Sequence, residues 1–188
     1  MLSAEFFERS TKKVAQELLG KLLIRKYRGK ELVARIVETE AYLGITDPGC
    51  HTYNGRRTKR TETMYLDGGH IYIYMIYGMY HCLNFVTRDQ KSPEAVLIRA
   101  AEPIQGFKTT QNLKLLSGPG KLCREMKIDK KLNGLYLDPS QLYLIDDGFK
   151  VNKRETLSLP RVGIPYAGEA QYWPLRFAVK NHSAVSKL

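Results

Sequence analysis

The chain has 188 residues, of which 43% are hydrophobic and 26% are charged, and this balance is typical of a soluble globular protein. No apolar run is long enough to span a membrane, and no basic amphipathic helix with a wide apolar face is visible, so a membrane partner is not expected. The segment MLSAEFFERSTKK has no apolar signal core, so a cytoplasmic rather than a secreted protein is expected. Thirty Lys and Arg against 19 Asp and Glu give a net charge of +11, which is tolerated most often where the partner is a polyanion such as nucleic acid.

The first predicted elements in chain order are a helix, a hairpin and a loop. Residues 11–19 carry an apolar stripe at helical spacing, and Gly20 can end that helix. Residues 21–27 and 31–39 are typical of two strands joined by a tight turn. The polar, glycine-rich segment 45–69 is predicted to be a long loop, and loops of that length are usually functional or disordered.

A tyrosine-rich segment, IYIYMIYGMYHCLNF, covers residues 71–85. Apolar residues alternate with Tyr72 and Tyr74 at its start, which predicts a strand, and Gly78 can turn the chain back. Tyr77 is therefore expected near the tip of a β-hairpin, where a large ring is costly unless it meets a partner. In a basic protein the stacked bases of nucleic acid are the obvious partner, whereas the alternative is an ordinary core strand, because tyrosine has high strand propensity.

The rest of the chain predicts mainly strands. A strand at 95–104 is expected to end at Pro103, a helix to cover part of 105–116, and a short helix to begin near residue 121. Further strands are predicted at 142–145, after Arg154 and at 175–179. These elements predict an α+β protein, a single domain over residues 1–188, built on a curved antiparallel sheet with a protruding hairpin and peripheral helices.

The segment RIVETEAYLG, residues 35–44, places two carboxylates close together in a predicted strand. Strict alternation would put Ile36, Glu38 and Glu40 on one face, and Tyr42 follows at the strand end. Glu38 and Glu40 can therefore form an acid–base pair. The alternative is a solvated pair on an edge strand, because most carboxylates are exposed.

Two further segments are candidates for phosphate contact. In LSGPGKLCR, residues 116–124, a glycine-rich turn leads into a helix, an arrangement that can hold an anion through N–H groups. Its expected contributors are the N–H groups of Ser117, Gly118 and Gly120 and the charge of Lys121. A basic run in the long loop is the second candidate for contact with a nucleic-acid backbone, and its members are Arg56, Arg57, Lys59 and Arg60. A plain loop-to-helix turn and a solvated loop are the respective alternatives.

The cysteines do not indicate a disulfide framework or a metal centre. Cys50, Cys82 and Cys123 cannot all pair within one chain, so reduced thiols are expected. Two of them lie next to histidines, but neighbours in a strand point opposite ways and no CxxC or HxxxH spacing occurs. The sequence therefore does not predict a metal site.

The motifs follow one another in a recognisable order: RIVETEAYLG, Asp47 to His51, GRRTKR, IYIYMIYGMYHCLN, VLIRAAEP, SGPGKLC, RVGIPYAGE and PLRF. In this order they resemble the alkyladenine (3-methyladenine) DNA glycosylase family, in its compact bacterial form, from the N-terminal helix to Phe177. The resemblance implies a fold like the C-terminal domain of a formyltransferase. It also implies a monomeric, cofactor-free enzyme that excises damaged purines from duplex DNA with water, without strand cleavage.

The resemblance also implies roles for individual residues. Glu40 matches the catalytic glutamate that activates water, and Arg99 matches the arginine that helps to hold that water. Three residues match the aromatic walls around the flipped base: Tyr42 on one side, and His51 with Tyr74 on the other. Asn84 matches the residue that rejects the 2-amino group of guanine. Tyr77, accompanied by Met79, matches the wedge that enters the DNA from the minor groove.

The implied substrates are 3-methyladenine, 7-methylguanine, hypoxanthine and ethenoadenine. A different class of protein, a non-catalytic module that binds DNA or tRNA, is the alternative function. Glu40 distinguishes the two, because a carboxylate in a basic aromatic groove repels phosphate and has no use in a pure binding protein.

Overall fold

The centre of the fold is a 13-residue strand that pairs with three others. The structure, a computed structural model, describes residues 1–186. Strands β1 to β8 are Leu22–Tyr27, Lys30–Tyr42, Ile71–Ile76, Tyr80–Thr87, Glu94–Gln105, Leu142–Ile145, Thr156–Leu159 and Arg176–Val179. Helices α1 to α3 are Ala4–Phe7, Thr11–Glu17 and Pro119–Glu125. Short 3₁₀ turns cover Gly44–Thr46, Tyr53–Gly55, Glu62–Tyr65, Lys130–Leu132, Lys153–Glu155 and Pro165–Tyr172.

All eight strands belong to one antiparallel sheet, which confirms the predicted α+β class. The main order is β3-β4-β5-β2-β1-β6, and β8 adds a branch by pairing with both β2 and β7. Because β2 lies between β5 and β8 where Glu38 and Glu40 occur, the edge-strand interpretation of these carboxylates is wrong. No helix within residues 1–186 is both long and apolar enough to cross a membrane.

An irregularity in β2 decides which of its side chains face the same way. The pairing of β2 with β5 shifts between Ile36 and Glu38, and such a bulge breaks the alternation of a regular strand. Ile36 packs in the main core, so the prediction that it shares a face with Glu38 and Glu40 is wrong. Beyond the shift, the Thr39 hydroxyl donates to the carbonyl of Ala15 in α2, over 2.8 Å. Since strand neighbours point to opposite faces, Glu38 and Glu40 lie on the face away from α2.

The helices cover one face of the sheet and close the main core. Val14 and Ala15 of α2, and Leu18 directly after it, have no exposed surface, as the predicted apolar stripe requires. Leu122 and Cys123 of α3 belong to the same core cluster. Complete burial of a leucine or valine side chain contributes about 1.5–3 kcal/mol. The packed face of the sheet therefore provides the stability, and the opposite face is available for a functional site.

The tyrosine-rich segment forms the hairpin of β3 and β4. Ile76 pairs with Tyr80, and the three residues between them form the turn. Tyr77 is 86% exposed at the tip and Met79 is 66% exposed, so the predicted position of Tyr77 is confirmed. Tyr77 has a φ of 52°, a left-handed conformation that costs a non-glycine residue about 1–2 kcal/mol. The base of the same hairpin is core, because Tyr72 is 1% exposed.

Two predictions in the middle of the chain are wrong. β5 does not end at Pro103 but continues to Gln105, because Pro103 lies beside a register shift where its missing N–H is tolerated. The helix predicted within 105–116 does not form, and the chain follows turns there. At Gly106, with φ at 85°, the backbone passes so close to the carbonyl of Glu31 that a side chain cannot be accommodated.

Candidate active site

A cavity of about 360 Å³ lies where the end of β2 meets the long loop, the hairpin and the loop after β7. This volume is within the usual range for small-molecule sites, roughly 300–1,000 Å³. Its walls include Tyr42, His51, Tyr74, Asn84, Arg99 and Tyr166. Five of these are residues singled out from the sequence, and they come from segments far apart in the chain. The fold therefore brings them together at one pocket.

Glu40 has no exposed surface and lies behind the pocket wall, where three lining residues, Tyr42, Arg99 and Val162, contact its carboxylate. Its Oε2 accepts a hydrogen bond from the Tyr42 hydroxyl at 2.7 Å. Its Oε1 accepts the N–H of Val162 at 2.8 Å and pairs with Arg99 Nη1 at 3.2 Å. A carboxylate has about four acceptor positions, so among the described residues one position, on Oε2, is left open. Glu40 is therefore held in one orientation with room for one further donor.

The Tyr42 hydroxyl stays protonated and can therefore donate a hydrogen bond to Glu40. Burial raises the pKa of the Tyr42 hydroxyl well above its usual value, and the negative charge of Glu40 raises it further. The guanidinium of Arg161 lies over the Tyr42 ring, with its carbon 4.8 Å from the ring centre. The ring is thus held by a hydrogen bond at its edge and by a cation on its face.

Arg99 connects the two carboxylates of β2. It is 7% exposed and is therefore buried rather than a surface arginine of the strand. Burial acts against its charge, but Glu40 and Glu38 more than offset this effect and raise the pKa of Arg99. Its Nε donates to Glu38 Oε1 at 3.1 Å, while Nη1 contacts Glu40. The negative charge of Glu38 is therefore balanced by the positive charge of arginine, and Glu38 is not available to act as an acid beside Glu40.

His51 and Tyr74 stand side by side in the pocket wall. Their ring centres are 4.7 Å apart and their planes are nearly perpendicular, at 82°. His51 Nδ1 lies 2.9 Å from the Tyr72 hydroxyl, and Nε2 lies 3.3 Å from Arg60 Nη2. Burial, with the positive charges of Arg60 and Arg56, lowers the pKa of His51 to about 4. His51 is therefore neutral at physiological pH.

Asn84 is buried in the interior of β4 and does not lie at a strand end. Its Nδ2 donates to the carbonyls of Tyr72, at 3.1 Å, and of Cys82, at 3.2 Å. These two bonds orient the amide, and the residue itself forms part of the pocket wall. The Asn84 amide therefore has a fixed position in the pocket wall, where it can select ligands by their shape.

The hairpin tip borders the pocket. Ile76 and Tyr77 contribute to its lining, although most of the Tyr77 ring projects into solvent. Met79 lies on the same turn. A protruding aromatic ring therefore stands directly beside the pocket behind whose wall Glu40 lies.

The basic run in the loop is exposed as predicted, but its members differ. Arg57 forms a two-point contact with Glu62, at 2.5 and 2.9 Å, and its guanidinium lies over the Tyr65 ring. Arg60 lines the pocket and lies over Tyr74, with its guanidinium carbon 5.2 Å from the ring centre. Arg57 is thus already paired and Arg60 belongs to the pocket, whereas Arg56 and Lys59 remain candidates for contact with the DNA backbone.

The glycine-rich turn before α3 is only partly available to an anion. The N–H of Ser117 donates to the carbonyl of Lys114 and that of Gly118 to the carbonyl of Arg99, at 3.3 and 3.1 Å. The expectation that these two N–H groups bind phosphate is therefore wrong, because the fold already uses them. Gly120 allows α3 to approach Tyr80, since an added Cβ would lie 3.0 Å from that ring. Gly120 and the exposed Lys121 remain candidates for phosphate contact.

A buried ion pair beside the pocket was not predicted from the sequence. Arg161 and Asp47 form a two-point contact, and neither side chain has exposed surface. Asp47 also accepts the N–H groups of Leu43 and Gly49, so the pair holds the loop before His51 in place. The motif RVGIPYAGE was visible in the sequence, but nothing local indicated that its arginine would meet Asp47.

Tyr166 from the same motif was also missed. Its hydroxyl donates to the carbonyl of Gly49 at 3.3 Å, and its ring forms part of the pocket wall. Among residues 1–186, no group of three or more His, Cys, Asp and Glu side chains is arranged to hold a metal ion.

In a basic protein, an aromatic pocket backed by an oriented, buried carboxylate is an arrangement typical of enzymes that act on the bases of nucleic acids. The sequence profile of methylpurine-DNA glycosylases matches residues 5–183. A protein of Bdellovibrio bacteriovorus named "Putative 3-methyladenine DNA glycosylase" is 55% identical, over all of this chain and 99% of its own length. Proteins of the same name from Desulfitobacterium hafniense and Methanocella arvoryzae are 46% and 44% identical, covering at least 98% of this chain and 96% of their own lengths.

The chain therefore belongs to the methylpurine-DNA glycosylase family. It is a DNA glycosylase, an enzyme of DNA repair, and the non-catalytic binding module is not its class.

Proposed function

We propose that this enzyme is a monofunctional glycosylase of base excision repair that removes alkylated and deaminated purines from duplex DNA and leaves an abasic site. The observation that carries the proposal is the position of Glu40. It lies buried directly behind an aromatic pocket, its carboxylate contacts three residues of the pocket wall, and the exposed ring of Tyr77 borders the same pocket. We also propose that the enzyme acts as a monomer in the cytoplasm, where it associates with the nucleoid.

The base has to leave the duplex before it can reach Glu40. Flipping a base out of the stack costs a few kcal/mol, and least for a damaged or mismatched base. Tyr77 fills the gap in the stack from the minor groove, and Met79 accompanies it. Their exposure at the end of a narrow hairpin supports this role, because a two-stranded projection can enter a groove that the body of the protein cannot.

The flipped purine then stacks in the pocket. Tyr42 contacts one side of the base, and His51 with Tyr74 contacts the other. Stacking contributes about 1–3 kcal/mol per base and is stronger for rings made electron-poor by alkylation. Asn84 excludes the 2-amino group of guanine by its bulk. Its rigid hydrogen bonding to the strand backbone supports that role, since a fixed amide cannot move aside.

Glu40 supplies the chemistry. A water molecule donates to the open position on Oε2, and its oxygen attacks C1′ of the sugar as the bond to the purine nitrogen breaks. The bonding electrons leave with the base, the water proton passes to Glu40, and the carboxylate stabilises the oxocarbenium character of the sugar. Arg99 orients Glu40 and the water. The proposed substrates are 3-methyladenine, 7-methylguanine, hypoxanthine and ethenoadenine.

The test uses two duplexes, one with a single hypoxanthine and one alkylated. Released base and strand breaks are measured with and without alkali, for the wild type and for Glu40→Gln. We expect base release with breaks that need alkali, and loss of release in Glu40→Gln with binding to damaged duplex retained. Breaks without alkali would instead indicate a lyase that uses Lys121, and release by Glu40→Gln at the wild-type rate would refute the assigned base.

A further inference from the structure

Glu38 is a fully buried carboxylate that the proposed reaction does not use. We propose that Glu38 is a positioning residue that holds Arg99 in place and thereby keeps the water position on Glu40 open, and that residues 184–186 complete this arrangement. The inference rests on the proposed function, because it concerns how Glu40 is kept ready for its water.

Three donors among the described residues form hydrogen bonds to the Glu38 carboxylate. Oε1 accepts Arg99 Nε at 3.1 Å and Arg176 Nη1 at 2.9 Å. Oε2 accepts the backbone N–H of Ser186 at 2.7 Å. A charged carboxylate satisfies donors on both oxygens, whereas an amide of the same shape presents its own NH₂ group to one of them. The site is therefore built for a carboxylate in particular.

The three nitrogens of Arg99 have three different partners. Nε donates to Glu38, Nη1 contacts Glu40 Oε1 and Nη2 donates to Ser186 Oγ at 3.3 Å. Because a guanidinium is planar and its donors are fixed, these contacts allow only one orientation of the group. In that orientation Arg99 contacts Oε1 of Glu40 and does not cover the acceptor position on Oε2 that Tyr42 leaves open.

Without Glu38 the guanidinium would have one nearby carboxylate instead of two. Arginine prefers to engage a carboxylate with two parallel bonds, so Arg99 would also cover Oε2 of Glu40. The open acceptor position on Oε2 is where the proposed mechanism places the attacking water. Loss of Glu38 would thus inhibit the reaction without altering the aromatic walls that bind the base.

The C-terminal segment is held in place by residues of the turn before α3. The carbonyl of Val185 accepts Ser117 Oγ at 3.2 Å and Lys114 Nζ at 3.1 Å. Ala184 and Val185 pack against Val37, next to Glu38 in β2. The segment therefore forms a strap across Glu38, and the serine expected to bind DNA phosphate anchors that strap instead.

Stability alone does not account for the cluster. Buried ion pairs contribute little net stability compared with well-packed apolar residues, because the charges lose their hydration. Because one arginine connects both carboxylates of the site, the cluster instead determines the relative positions of their atoms. Geometry is what the reaction needs, since misplacement by about 1 Å can cost 100-fold in rate.

The experiment measures single-turnover release of hypoxanthine, affinity for the same duplex and thermal unfolding. It compares the wild type with Glu38→Gln, Arg99→Gln and the double variant, and Glu94→Gln is the control because it makes the same chemical change on β5, away from the cluster. We expect Glu38→Gln to lower the rate by about 10- to 100-fold with duplex affinity retained. In the Arg99→Gln background, Glu38→Gln should cause no further loss, because Glu38 acts through Arg99.

A second pair of variants covers the case in which Glu38→Gln does not fold. Ser186→Pro removes the N–H that Glu38 Oε2 accepts, whereas Ser186→Ala removes only the hydroxyl contact with Arg99. We expect the larger loss of rate in Ser186→Pro. Two results would overturn the positioning role. The first is a rate within about twofold of wild type for both Glu38→Gln and Ser186→Pro. The second is a double variant of Glu38 and Arg99 in which the losses of the two single variants multiply. The proposed function itself fails separately, if the wild type releases no base or Glu40→Gln releases it normally.

Discussion

Arg60 Nη2 lies 3.3 Å from His51 Nε2, and this contact determines which nitrogen of the imidazole carries the proton. A guanidinium only donates, so Nε2 is the acceptor and Nδ1 carries the hydrogen that is donated to Tyr72 Oη. The wall of the pocket is thus a neutral imidazole in one tautomer, which suits a site proposed to bind cationic alkylpurines.

The first prediction concerns the titration of His51. Nitrogen-15 NMR should show the Nδ1–H tautomer at pH 7 and a midpoint near the pKa of about 4 that burial and the charges of Arg60 and Arg56 produce. Arg60→Gln should move the midpoint upward, because one of the two nearby cations is removed. A midpoint near 6.5, the ordinary value for histidine, would contradict the described environment.

The same shift predicts how stability depends on pH. The unfolded chain takes up a proton on His51 near pH 6.5 and the folded chain only near pH 4, so the free energy of unfolding should fall as the pH drops through that window. Urea unfolding at pH 7 and pH 5 measures the loss. His51→Gln should lose less than the wild type over this interval, and an equal loss in both proteins would refute the prediction.

A third prediction separates function from stability at the hairpin tip. Tyr77 adopts a left-handed φ of 52°, which asparagine tolerates better than tyrosine does. Tyr77→Asn should therefore unfold with an unchanged or higher free energy, by up to about 1 kcal/mol. Its capture of the flipped base should be weaker, which 2-aminopurine fluorescence next to the lesion would report. Unchanged fluorescence would argue against the wedge.

The fourth prediction concerns the ion pair beneath Tyr42. Asp47→Asn leaves the buried Arg161 without its charged partner, and an uncompensated buried charge costs about 3–5 kcal/mol. We expect a loss of this order in urea unfolding, with weaker excision because Tyr42 and the loop before His51 lose their support. Arg57→Gln, which breaks an exposed pair with Glu62, is the control and should change the free energy of unfolding by less than about 1 kcal/mol.

A fifth prediction tests the turn that replaced the predicted helix. Gly106 and Gly29 both have positive φ values, of 85° and 74°, so alanine at either position costs about 1–2 kcal/mol of conformational energy. At Gly106 the new Cβ would also lie 2.1 Å from the carbonyl oxygen of Glu31, whereas at Gly29 nothing lies within 4 Å. Gly106→Ala should therefore destabilise the protein more than Gly29→Ala in urea unfolding. Equal losses would show that the close approach does not exist.

Local signals in the sequence predicted much of this protein. The hairpin with Tyr77 at its tip follows from alternation and one glycine, and α2 follows from the spacing of its apolar residues. The helix predicted within 105–116 failed because the contact of Gly106 with Glu31 depends on residues 75 positions apart.

The sequence by itself determined the antiparallel α+β class and the basic character, because both depend on composition or on neighbours along the chain. The order of its motifs indicated the pocket residues through their resemblance to a known family. Only the tertiary structure decided that Glu40 faces the pocket while Glu38 is neutralised by Arg99 and Arg176, and that Ser117 anchors the C-terminal segment. The physical reason is burial. A charged or polar side chain removed from water must find its partners inside the protein, and here those partners come from residues 60 or more positions away in the chain.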